Sequence, residues 1–170
     1  MLFSPAQPGD LAEIADVING AYRGLDGQAG WTHEGDLVAG ARTTAEELAS
    51  DLAASPEAFI LTARDVADGP VLGSVWLDPS GGDCWYLGLL AVGIGGQARG
   101  LGRQLLAQAE RLAAERGATG MRLTVIHVRD DLAAWYERRG YRRTGHSEPF
   151  PEQYVTLQPG LRLMAMEKAL

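Results

Sequence analysis

The chain has 170 residues, 46% of them hydrophobic, and a formal charge of −7 at pH 7. That length supports a single domain with a core of its own, and the acidic balance argues against a nucleic-acid partner held by broad phosphate neutralisation. No apolar run approaches the roughly 18 residues of a membrane span, and no basic, then apolar leader opens the chain at Met1-Leu2-Phe3-Ser4-Pro5. No membrane partner is therefore expected; the one cysteine, Cys84, reads as a small core residue with no partner for an internal disulfide, in keeping with a reducing compartment, and the cytoplasm is the default.

Residues 2–6 suit a short strand that Pro8-Gly9 ends. Asp10, with Glu13 three residues on, makes a capping-box-like start for a helix to about Arg23, whose apolar stripe is Leu11, Ile14, Ala15, Val17 and Ile18. Residues 24–42, GLDGQAGWTHEGDLVAGAR, show no periodicity, and a connection this long inside a compact domain is usually functional or disordered. Trp31, His33, Glu34 and Asp36 make it chemically dense, which favours function. Thr44 and Glu47 open a second helix to about Ala54. Strands over 58–64 and 71–77 flank the polar turn Asp65-Val66-Ala67-Asp68-Gly69-Pro70 and read as a hairpin, and a further turn at 79–83 leads into a strand beginning near Cys84.

The segment 87–116 organises the rest. LGLLAV is too short for a helix and apolar enough for a buried strand. From Leu101 the apolar residues Leu105, Leu106, Ala109, Leu112 and Ala113 recur at three-and-four spacing, opposite Arg103, Gln104, Gln108, Glu110 and Arg111, until Gly117 stops the helix. Between strand and helix lies Gln97-Ala98-Arg99-Gly100-Leu101-Gly102. Glycines at a helix start leave backbone N–H groups open beside the positive end of the dipole, an arrangement that binds anions; a diphosphate is the natural guest, with Arg99 and Arg103 at its rim. A competing pattern, Gly93-Ile94-Gly95-Gly96-Gln97-Ala98, matches the dinucleotide fingerprint of an NAD(P)-dependent oxidoreductase. That fingerprint expects the helix to open inside the motif and an acid about 20 positions later at the next strand's tip. The next strand, 121–128, is followed by Arg129.

Beyond it, Asp130 caps a helix carrying Tyr136, residues 141–144 form a strand, and residues 162–168 the last one, with Leu163 and Ala165 alternating against Met164 and Met166. A second long stretch, 145–160, holds Glu148, Phe150, Glu152 and Tyr154. The order of elements is that of an α/β domain with a mixed sheet.

Gln97-x-x-Gly100-x-Gly102 after a strand, with an amphipathic helix behind it, resembles the acetyl-CoA pyrophosphate loop of the GNAT superfamily of N-acetyltransferases. A second match follows where that family often has N-x-x-A-x-x-L-Y-x-x-x-G-F: here the tyrosine is Tyr136, the glycine Gly140 and the aromatic Tyr141, while Arg129 and Leu132 replace the Asn and Ala. The resemblance covers residues 87–141. It implies a mixed, mostly antiparallel sheet of about six or seven strands flanked by about four helices. It also implies acetyl-CoA as cosubstrate, direct transfer in a ternary complex, no metal, and often a homodimer. The backbone of Leu90, Ala91 and Val92 would hold the pantetheine and thioester oxygen, and Gln97, Ala98, Arg99, Gly100, Leu101, Gly102 and Arg103 would surround the diphosphate.

Acetyl transfer to an amine needs the amine neutral and the leaving thiolate protonated. An alkyl amine has a pKa of about 10.4, so a base is required near neutral pH. Tyr136 is the candidate general acid, because a phenol of pKa about 10 stays protonated and can serve a thiol of pKa about 8.5. Some relatives carry a carboxylate where this chain has Gly88, which leaves Glu34, Glu148 and His127 as candidates for the base. Trp31, Glu34, Glu148 and Tyr154 are the candidate acceptor-binding residues if the two long loops meet, and their acids lean toward a small cationic molecule or a peptide amine. An acyl-CoA-binding sensor or scaffold without turnover is the alternative.

Overall fold

The computed structural model describes residues 1–24, 30, 32–93, 96 and 99–170. Its elements run β1 (Leu2–Pro5), α1 (Leu11–Arg23), α2 (Ala45–Ala54), β2 (Phe59–Arg64), β3 (Gly73–Asp78), β4 (Cys84–Val92), α3 (Leu101–Glu115), β5 (Gly120–Ile126), α4 (Asp130–Glu137), β6 (Arg142–Pro149) and β7 (Arg162–Ala169). Among the described residues the strands form one sheet of order β1-β2-β3-β4-β5-β7-β6. Every neighbouring pair is antiparallel except β4 and β5, between which α3 crosses over, as a parallel pair requires. Among the described residues this is the mixed, mostly antiparallel architecture with four helices that the resemblance implies.

Alternation along the strands sends side chains to two cores. Leu61, Ala63, Val75 and Leu77 pack with Leu101, Leu105 and Leu106 of α3, and with Leu132 and Tyr136 of α4, on one face of the sheet. Ile60, Trp76 and Ala91 pack with Ile14 and Ile18 of α1 and Leu48 of α2 on the other. In β4 the alternation slips. Trp85, Leu87, Leu90 and Val92 belong to the α3 face, and Tyr86, Leu89 and Ala91 to the α1 face, so one residue too many lies between Leu87 and Leu90. The β3–β4 register shifts at that point, from Ser74↔Ala91 to Trp76↔Gly88, and Leu89 has a φ of 48°. This is a β-bulge with a non-glycine residue in the left-handed region.

Several expected boundaries move, each for a visible reason. Thr44 and Glu47 form the reciprocal capping box, at 3.1 and 2.9 Å. Asp10 takes the N-cap position of α1, but its side chain makes no cap bond there; it closes a 3-10 turn by accepting the Gln7 N–H at 2.8 Å and pairs with Arg64 at 2.7 Å, while Glu13 accepts the Val71 N–H at 3.0 Å. Arg129 takes the N-cap position of α4, and Asp130 is the first helical residue. The strand expected over 141–144 runs on to Pro149, because β7 pairs with it past an irregularity between Arg143 and Ser147. The two long loops do meet. Val38 bridges Thr156, the Ala39 N–H donates to Val155 O at 2.9 Å, and the Leu157 N–H to Leu37 O at 2.8 Å.

Candidate active site

Strands β4 and β5 are in register only from Cys84↔Gly120 to Tyr86↔Arg122. Beyond that point β4 bulges and stays with β3, while β5 continues with β7 through Ile126↔Leu163. The divergence opens a cavity of about 250 Å³. Its walls are residues 87–90 of β4, residues 123–126 of β5, Tyr136 of α4, Tyr22 and Arg23 at the end of α1, Thr32, Glu34 and Arg42 of the first loop, and Phe150 and Tyr154 of the second.

Tyr136 reaches this wall from the buried face of α4. Its ring meets Trp135 and Tyr141 edge-on, at centroid distances of 5.0 and 5.4 Å, and it is 6% exposed. Burial first, then the neighbouring Tyr22 and Tyr86, push its phenol well above the usual range, so it stays protonated. Tyr22 donates its hydroxyl to Leu90 O at 3.3 Å, tying α1 to the bulge.

Glu34 is 8% exposed. Its N–H donates to Tyr22 O at 2.7 Å, and its carboxylate lies 3.7 Å from the Arg23 guanidinium. Burial raises its pKa in spite of the opposing fields of Arg42, Arg23 and Arg129. Tyr154 accepts a hydrogen bond from Arg42 Nη1 at 3.4 Å, and Arg42 lies between the Tyr22 and Tyr154 rings, 5.5 and 5.7 Å from their centroids.

Two candidate bases lie elsewhere. His127 is exposed just past the end of β5; its Nδ1 accepts the Arg162 N–H at 3.1 Å, and the cavity wall ends at the residue before it. Glu148 is exposed on β6 because that strand runs through it, and it does not line the cavity. Among the described residues Glu34 is the one acid of the two loops in the lining, and it faces Arg23 and Arg42. Trp31, Gln97 and Ala98 lie outside the described residues.

At α3 the N-cap is Gly100, with φ 66° and no side chain of its own to cap the helix. Leu101 and Gly102 are buried. Arg103 is exposed, whereas Arg99 is held by Asp65 of the hairpin turn through two bonds of 2.9 Å. A helix start with glycine at its N-cap, beside a strand parted from its neighbour, fits a diphosphate with a pantetheine arm. Among the described residues no group of three or more His, Cys, Asp or Glu is placed to hold a metal, and no helix is long and apolar enough to cross a membrane.

Tyr22, Arg23, Arg42 and Tyr86 escape the sequence reading. The first two sit on the last turn of α1, outside its apolar stripe, and Arg42 ends an aperiodic loop. Tyr86 had a signal: a Cβ on Gly88 would lie 2.9 Å from the Tyr86 ring and 3.3 Å from its hydroxyl. The space above Gly88 here holds a phenol.

The Acetyltransferase (GNAT) family profile matches residues 25–141. The chain belongs to this family and is an acetyltransferase. Its fold is similar to that of ribosomal-protein-alanine N-acetyltransferase from Brucella melitensis, at 20% identity and a TM-score of 0.69 over 100% of both chains. It is also similar to the ribosomal-protein-S18-alanine N-acetyltransferase from Escherichia coli, at 17% identity and a TM-score of 0.70 over 99% of this chain and 92% of that one. A GCN5-related N-acetyltransferase from Kribbella flavida gives 20% and 0.67 over 99% and 97%. At these identities the likeness is one of fold. No curated protein matches the sequence at a significant level.

Proposed function

We propose that the chain moves an acetyl group from acetyl-CoA directly to a primary amine in a ternary complex. The observation that carries this reading is that the parting of β4 from β5 places the protonated Tyr136 phenol and the bulged β4 backbone on one cavity. Acetyl-CoA supplies the activated acyl carbon. The residues of this chain do the rest. The backbone of Leu90, Ala91 and Val92 orients the thioester, the start of α3 from Gly100 to Arg103 takes the diphosphate, and Arg99 can join it by leaving an exposed ion pair. Tyr136 gives a proton to the departing sulfur. Glu34, the only one of the three candidate bases on the cavity wall, accepts the amine's proton, and burial brings its pKa closer to working pH. Tyr154 borders the acceptor.

The test is a thermal melt with acetyl-CoA, CoA and NADH, followed by thiol-release assays of Tyr136→Phe. A ligand at about 100 times its Kd adds about 2.7 kcal/mol, which at this size raises the midpoint by about 5–11 °C. Acetyl-CoA is expected to raise it and NADH not; a rise with NADH alone overturns the reading. Tyr136→Phe keeps the ring packing, so it should lose about 10²- to 10⁴-fold in kcat while still binding acetyl-CoA. A variant with undiminished kcat removes Tyr136 from the mechanism, and a wild type that binds acetyl-CoA with no turnover favours a sensor.

A further inference from the structure

Arg42 stands on the cavity wall with no role in acetyl transfer. Arg23, its neighbour, is engaged: its carboxylate partner Glu34 is 3.7 Å away, and Nε donates to Gly40 O at 2.7 Å. Arg42 has no carboxylate within ion-pair distance among the described residues, and its one side-chain hydrogen bond there is the 3.4 Å contact with the Tyr154 hydroxyl. The guanidinium lies against the Tyr22 and Tyr154 rings, which fixes its orientation without consuming its donors.

Its backbone is clamped as well. The Arg42 and Thr43 N–H groups donate to Asn19 Oδ1 at 2.6 and 3.3 Å, and Asn19 Nδ2 donates to Thr43 O at 2.8 Å. Arg42 also lines an adjoining hollow of about 280 Å³ on the α2 side, which shares Tyr86, Gly88, Leu89 and Tyr154 with the main cavity. It therefore stands where the two hollows meet. A preoriented guanidinium with open donors is a receptor for a planar oxyanion, bound through two parallel N–H bonds.

The same wall carries Glu34. Anion receptor and base share one small cavity, so a ligand satisfying both has its amine close to a carboxylate.

The geometry points to a free amino acid as the acceptor, its carboxylate held by Arg42 and its amine presented to Glu34 and the β4 bulge. This rests on the acetyltransferase reading and deepens it. In the transfer, the amine nitrogen bonds to the thioester carbon as the C–S bond breaks. The ammonium form loses two protons, one passing to solvent by way of Glu34 and one replacing, through solvent exchange, the proton that Tyr136 gives to sulfur. The products are an N-acetylated amino acid, its carboxylate intact, and CoA as the free thiol.

The experiment compares thiol release for the twenty common L-amino acids, their primary amides and a polyamine such as spermidine, in wild type and in Arg42→Met. Melts of the CoA-saturated protein with each amine provide a second readout. One or more amino acids should be acetylated and should raise the midpoint, with their amides down about 10- to 100-fold in kcat/KM, mostly through KM. In Arg42→Met the acid-to-amide ratio should fall by the same factor. Amides or spermidine acetylated as well as the acids, or an acid-to-amide ratio unchanged by Arg42→Met, overturns the proposal and leaves the acetyltransferase standing. So does a protein stabilised by acetyl-CoA that neither acetylates nor binds any amino acid. Absence of any acetyl-CoA response is a failure of the acetyltransferase reading itself, and this proposal falls with it.

Discussion

Glu34 shows how burial and charge compete at a single side chain. Arg42, Arg23 and Arg129 all favour its anion, yet desolvation outweighs them and its pKa is raised. A base must be ionised, so kcat/KM should rise with pH along a limb set by a pKa above the ordinary carboxylate range. Glu34→Gln should remove that limb and lower kcat by about 10²- to 10⁴-fold. Stability moves the other way. Because the folded-state pKa is above the unfolded one, the folded state binds the proton more tightly; this contribution is complete below the unfolded pKa and lost as pH rises through the folded value. The Gln variant should therefore melt no lower than wild type at about pH 8, with any advantage gone near pH 4. Melts and pH–rate profiles on the two proteins check both halves, and an ascending limb that survives in Glu34→Gln excludes it as the base. Glu34 was readable because a long aperiodic loop held it among other polar residues. Arg42, in the same loop, was not: its meaning lies in two tyrosine rings, one of them over a hundred residues away in sequence.

At the level of elements, the bulge in β4 decides where the cavity opens, and the sequence hides it. Both faces of β4 are covered, so Leu87, Leu89, Leu90 and Val92 read as an unbroken apolar run and the slip in parity leaves no polar residue to mark it. The far half of β6 is hidden for the opposite reason: its residues are nearly all exposed, and no alternation survives. Glycines report the packing more directly. A Cβ on Gly73 in β3 would lie 2.8 Å from Leu105 Cδ1 and 2.9 Å from the Ala91 carbonyl oxygen, and that oxygen belongs to backbone of β4, which cannot step aside. Gly73→Ala should cost about 1–3 kcal/mol. The same change at Gly20, within α1, meets nothing within 4 Å and should gain about 0.5–1 kcal/mol from helix propensity. Opposite shifts in melting midpoint are the expected outcome. A neutral Gly73→Ala would show that α3 is not seated on β3 as closely as described.

For the molecule as a whole, four of the ten arginines between residues 99 and 143 form local ion pairs among the described residues. Arg99 meets Asp65, Arg111 meets Glu115, Arg129 meets Asp131, and Arg143 meets Asp130 and Glu137. Most of these are exposed on at least one side and add little to stability. The pair between Lys168 and Glu110 differs. It is 2.6 Å long, its side chains are 23% and 15% exposed, and it joins the last strand to α3. That strand, β7, lies between β5 and β6 and carries Leu163 to the cavity, so the end of the chain holds one wall of the site. Lys168→Met should leave Glu110 without its counter-ion at a cost of about 2 kcal/mol, less than the roughly 3–5 of a fully buried pair, and lower the midpoint by about 4–8 °C. Replacing both, Lys168→Met with Glu110→Leu, should recover most of the loss, because no uncompensated charge remains. If the double variant melts as low as the single one, packing of the lysine stem rather than the charge pair holds β7 against α3. In either case KM for acetyl-CoA, measured well below the midpoint, should stay at the wild-type value, since the pair lies outside the cavity lining.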